Sequence, residues 1–161
     1  MSTISHKVEG QIVSFAGDLN ESGTVEYFEQ TISPLLKGGT VRLDFSHVPR
    51  SNSTGIKYFF RYLNETKPDV LFVRVPFWLL EQFCMVKGLL DDGRKVHSLL
   101  LPFYSESTEK EVVQEVVFDK DIPVLDDYSD YKLDPLIIDG EEYHAEFHVP
   151  TLFETLVGKL K

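Results

Sequence analysis

The feature that most constrains this chain is a change of hydrophobic period, repeated along its first hundred residues. Ile56, Phe59, Phe60 and Leu63 recur at i, i+3, i+4 and i+7, with Lys57, Arg61 and Asn64 between them. That spacing predicts a helix with one apolar stripe, opening near Asn52 or Ser53 and ending at Pro68. Just before it, Val41, Leu43 and Phe45 alternate with Arg42 and Asp44, the period of a half-buried strand. The same exchange occurs on both sides. Lys7–Glu9 and Gln11–Ala16 read as short strands meeting near Gly10. Val25, Phe28, Ile32, Leu35 and Leu36 mark a helix from about Gly23 to Lys37, with Pro34 kinking its last turn and Gly38-Gly39 stopping it. Val70–Val75 is a β-rich run, Pro76 can open a third helix reaching about Leu90, and Val96–Tyr104 is a further strand. Such alternation calls for an α/β fold, a mixed sheet of about four to five strands with helices packed on it.

The last third reads differently. Glu111–Phe118 suits a strand or a short helix. Residues 126–134 are an acidic loop, and Leu136–Ile138 and Tyr143–Val149 form a hairpin about Asp139-Gly140. Thr151–Leu160 is helical behind Pro150. The expected organisation is therefore one α/β domain over 1–104 and an acidic α+β extension over 105–161, packed on the same core. Charge divides at nearly the same place. Residues 1–100 hold 11 acidic and 11 basic side chains, whereas residues 101–161 hold 15 acidic and 5 basic. The whole net charge of −10 thus falls on the extension. An acidic chain lacks the basic face that phosphate backbones require, so nucleic acid is not expected as a partner.

Cys84 is the single cysteine, which excludes an internal disulfide and a four-cysteine zinc site and suits a reducing cytoplasm. No apolar run approaches the ~20 residues of a membrane span, and the N-terminus has no signal-like apolar stretch. No membrane association is expected. No phosphate-binding loop, metalloprotease helix or hydrolase elbow is present, so neither a cofactor nor an enzymatic activity is expected.

Three motifs carry a resemblance: Gly17-Asp18-Leu19 after a strand, Val41-Arg42-Leu43-Asp44-Phe45-Ser46 as a strand, and Asn52-Ser53-Thr54-Gly55-Ile56 at a helix start. In this order they are similar to the signature positions of STAS domains, over roughly residues 8–100, and in particular to the bacterial anti-sigma-factor antagonists. The resemblance implies a non-catalytic cytoplasmic signalling module that works by partner switching. Its partner would be an anti-sigma factor or a Ser/Thr-kinase-like regulator. Ser53 falls at the family's phosphorylated serine, with Thr54 as a neighbouring hydroxyl. Asn52, Ser53, Thr54, Gly55 and Asp18 would form the partner-binding surface, and a homodimer is compatible with it.

The residues suit that role. A serine at a helix start caps it through its hydroxyl, and a phosphate there gains from exposed N–H groups and the helix dipole. Gly55 would let a partner's backbone come close. Asn52 departs from the family's usual Asp. The alternative is thus a constitutive STAS-like scaffold or dimerisation module with no phosphoswitch. A third reading rests on His144, Glu146 and His148, which on a strand would share a face and offer two imidazoles and a carboxylate to a metal or small ligand.

Overall fold

A computed structural model describes residues 2–161, which fold as a mixed α/β protein with two sheets. The first sheet has five strands in the order β1-β2-β3-β4-β5: β1 Ser5–Glu9, β2 Ile12–Ala16, β3 Val41–His47, β4 Val70–Val73 and β5 Lys95–Val96. β1 and β2 form an antiparallel hairpin, and β2 to β5 are parallel. Parallel neighbours need crossovers, and three helices supply them: α1 Val25–Ile32, α2 Ser53–Thr66 and α3 Phe77–Met85.

Each helix ends for a local reason. The helical run expected to Lys37 gives way at Ser33 to a 3-10 turn, Ser33–Gly38, because Pro34 cannot donate the next helical bond. α2 stops at Lys67, held in the left-handed region at φ 48°, ahead of Pro68. α3 is shorter than its periodicity suggests, because Val86 turns extended. Beyond it, the buried Arg94 guanidinium collects the carbonyls of Gly88 and Leu89 at 2.8 Å and of Leu63 at 3.3 Å. One side chain thereby ties the last turns of α2 to the turn after α3.

The run read as one strand from Val96 to Tyr104 is broken at His97. Val96 ends the first sheet, and β6, Ser98–Ser105, begins the second. β6 crosses position 104 within its own length, so the change of sheet falls at His97 and earlier than the expected domain boundary. β6 pairs along its whole length with β7, Lys110–Val117, which settles that segment as a strand. On its other side β6 meets β9, Glu141–Ala145, itself paired with β8, Leu136–Ile138. The second sheet is antiparallel throughout, in the order β7-β6-β9-β8. A short helix α4, Val149–Glu154, follows.

The two sheets share one core. Phe28, Phe59 and Phe72 beneath the first sheet and Leu101, Phe103 and Phe153 beneath the second belong to a single buried cluster. Fully burying each such side chain is worth roughly 1.5–3 kcal/mol. The C-terminus also returns to the first sheet: Val96 N–H donates to Lys159 O at 2.7 Å, and Lys161 N–H donates to Val96 O at 3.0 Å. The last residues thereby cover the free edge of β5. Among the described residues, no helix is long and apolar enough to cross a membrane.

Candidate functional site

The segment Asn52-Ser53-Thr54-Gly55 lies beyond the C-terminal end of β3, where the chain turns into α2. Asn52 is the N-cap, in extended conformation, and its side-chain Oδ1 accepts from Gly55 N–H at 2.8 Å. Ser53 is the first helical residue and is exposed. This corrects the sequence reading, which gave the capping bond to the serine hydroxyl. The hydroxyl of Ser53 is left at the surface, and the amides of Ser53 and Thr54 are helix-start donors that no carbonyl of the helix can reach. Lys57 stands one turn further along the same face, also exposed. Thr54 is half-buried.

The rest of the Asn52 amide explains why Asn stands here. Nδ2 donates to Glu21 Oε2 at 3.0 Å. That bond, followed by one to the Glu21 backbone, holds the Glu21 carboxyl below its ordinary range, so the group is ionised at neutral pH. An aspartate at position 52 would instead face a second carboxylate at hydrogen-bonding distance. Asn matches both neighbours: oxygen toward the Gly55 amide, nitrogen toward Glu21.

Gly55 serves the fold and not a visiting backbone. A Cβ placed on it would lie 2.3 Å from the carbonyl oxygen of Leu19 and 2.8 Å from the nitrogen of Asn20. The helix start is thus pressed against the loop after β2, with Asn52 N–H donating to Leu19 O at 3.0 Å and Leu19 N–H to Arg50 O at 3.1 Å. The sequence reading took the absent side chain as room for a partner; the room is already filled from within.

Asp18 belongs to the same neighbourhood but only 6% of it is exposed. Its carboxylate accepts from Arg50 Nη2 at 3.1 Å, and its backbone N–H donates to Ser2 Oγ at 3.1 Å. It positions the loop that leads into the site and presents little surface of its own. Asp44, read as the outward side of β3, is buried as well, because the Arg74 guanidinium folds over its carboxylate. Beside the exposed serine, a groove of about 480 Å³ runs between α2 and α3, lined by Ser53, Ile56, Phe60 and Val86.

The C-terminal histidines are not brought together. β9 ends at Ala145, so Glu146 and His148 do not continue the strand alternation. His144 pairs with Glu142 at 3.2 Å. His148 caps α4, accepting from Thr151 N–H at 3.3 Å and bonding the Thr151 hydroxyl at 2.6 Å. Among the described residues, no group of three His, Cys, Asp or Glu side chains is arranged to hold a metal.

Two participants escape a linear reading: Glu21 and Arg50. Neither stands in a motif, and Glu21 is 31 positions from the amide it binds. No family model, curated protein or solved structure matches the chain.

Proposed function

We propose that this protein is a non-catalytic interaction module of the partner-switching kind, STAS-like, cytoplasmic, with Ser53 as its phosphoacceptor. One observation carries the reading: Ser53 is exposed at the first position of the 14-residue helix α2 while the cap itself is made by Asn52. The hydroxyl can therefore be modified without removing a bond that the helix start depends on. A phosphate there would sit over the unpaired amides of the first turn, close to Lys57, and add about −1.5 to −2 charges to the docking face. The five-stranded sheet with an antiparallel edge hairpin and parallel inner strands also supports the reading. An anti-sigma factor or a kinase-like regulator is the partner class that the resemblance implies.

The Asn52–Glu21 bond favours a second reading, a constitutive scaffold. The cap is already matched to a neighbouring anion, which would oppose a phosphate on Ser53. Incubation with lysate and ATP, followed by mass spectrometry, separates the two. A phosphate on Ser53, with Ser53→Asp weakening partner capture at least tenfold and Ser53→Ala leaving it intact, is the expected result. No phosphate on Ser53 or Thr54, with both variants capturing the partner as well as the parent does, would leave the scaffold.

A further inference from the structure

The open face of the second sheet carries a groove that neither Ser53 nor its helix lines. It holds about 620 Å³ and lies at the seam between the sheets, lined by Val48 and Pro49 of the loop after β3 and by residues of β6 and β7. One wall is Val48, Pro49 and Trp78; the other is Leu100, Pro102 and Val113. The second wall follows from strand register. Leu99, Leu101 and Phe103 of β6 point into the core, so Leu100 and Pro102 point outward, and Val113 of β7 lies opposite Pro102. Val113 is 60% exposed, a large apolar side chain left on an open strand. Trp78 is fixed in the first wall by its indole N–H, which donates to Val48 O at 2.6 Å.

Two carboxylates close the groove, Glu111 on β7 and Glu146 after β9. Both line it, and loss of water and then the neighbouring Glu111 push the Glu146 carboxyl above its ordinary value. Glu115, opposite Leu100 in register, extends the acidic border. Among the described residues no Lys, Arg or His side chain lies within ion-pairing distance of any of the three. The groove therefore combines an apolar floor, an immobilised indole and a pair of carboxylates without a cation.

From this charge and shape we infer that the groove is a docking site for an extended segment of a partner protein that carries an arginine flanked by apolar residues. A guanidinium has the planar fork that two adjacent carboxylates accept and can stack on an indole, which an ammonium does less well. The apolar neighbours would cover Val113, Leu100 and Pro102. The site is separate from the Ser53 surface and gives the acidic extension its own role in recognition.

Trp78 is the only tryptophan, so its fluorescence reports the groove directly. The purified, unphosphorylated protein is titrated with a pool of blocked pentapeptides having Arg fixed at the centre and Leu, Val, Pro or Phe elsewhere. A saturable change is expected. It should weaken at least tenfold in the double variant Glu111→Gln/Glu146→Gln and severalfold between 50 and 500 mM NaCl. The same pool with Glu at the centre should give none. The double variant removes a repulsive pair and should unfold no earlier than the parent, checked by circular dichroism. The inference is overturned by no saturable change, by equal response to the Glu pool, or by undiminished binding in the double variant. It is also overturned if Trp78 responds to protein concentration alone in step with dimerisation, since a second copy would then fill the groove. No kinase is present, so these outcomes are independent of the fate of Ser53.

Discussion

The two sheets show two ways for one chain to bury strands. In the first, parallel strands are joined through helices, and β4 and the middle of β3 are buried. Its residues carry balanced charge, and its exposed hydroxyl stands at a helix start. In the second, hairpins join antiparallel strands and leave one face open, so β6 alternates between buried and half-buried residues and β7 is largely exposed. The open face takes up acidic residues and an apolar strip together. The lesson is that the sheet with crossovers places its candidate site in a loop at the strand ends, whereas the sheet without them places its candidate site on its own surface.

The comparison breaks first if the two sheets are separable. Phe153 is fully buried beneath the second sheet, packed against Tyr128, Tyr131, Phe118 and Phe147. Phe153→Ala should cost about 3–5 kcal/mol. If the shared core is one cooperative unit, urea melts followed by Trp78 fluorescence and by circular dichroism will shift together; two separated transitions would mean two independent units. Next in size is Gly55→Ala, expected to cost roughly 3 kcal/mol in the same melts, since the new methyl would meet the Leu19 peptide and not a flexible side chain. A loss below about 1 kcal/mol would show that the loop after β2 can retreat.

A smaller effect sharpens the reading of the cap. Asp and Asn cap helices about equally well. Here Asn52→Asp should nevertheless lower the unfolding midpoint slightly, because it turns the donor to Glu21 into a like charge. Glu21→Gln in that background should restore most of the loss, and a double-mutant cycle by thermal unfolding reads the coupling. No coupling would mean that the Asn52–Glu21 bond has no energetic weight.

Beyond single substitutions, a pH slope probes the buried tyrosines of both layers. Burial, partly offset by the bond to Thr31, pushes the Tyr27 phenol up to about 12. The folded state keeps that proton above pH 10 while the unfolded chain loses it. Stability should therefore fall as pH rises from about 10 to 12. Tyr62, Tyr128 and Tyr131 are shifted the same way by burial and contribute to the slope. Tyr27→Phe should flatten it in part, by denaturation midpoints at pH 9, 10.5 and 12.

Much of the first sheet was legible because its signals are local. The Val41–Phe45 alternation and the Ile56–Leu63 stripe each report a burial pattern within a few residues, and β3 and α2 follow them. The start of α2 at Ser53 was within one residue of the expectation for the same reason. The errors came where burial depends on a distant neighbour. Asp44 looks solvent-facing by alternation until Arg74 closes over it. The Val96–Tyr104 run has one period but serves two sheets, because Val96 pairs with Phe72 of β4 while β7 claims the residues from Ser98 onward.

By itself, then, the amino-acid sequence determined the α/β class, the order of the elements, the acidic bias of the last third and the position of Asn52-Ser53-Thr54-Gly55 at a helix start. All of these follow from backbone preferences and hydrophobic periods over a few turns. Only the tertiary structure decided what each of those residues does: that Asn52 and not Ser53 makes the cap, that Gly55 admits Leu19, that Glu21 requires an amide at 52, and that Glu111 and Glu146 line one groove. Those assignments depend on contacts between positions tens of residues apart, which no local period records.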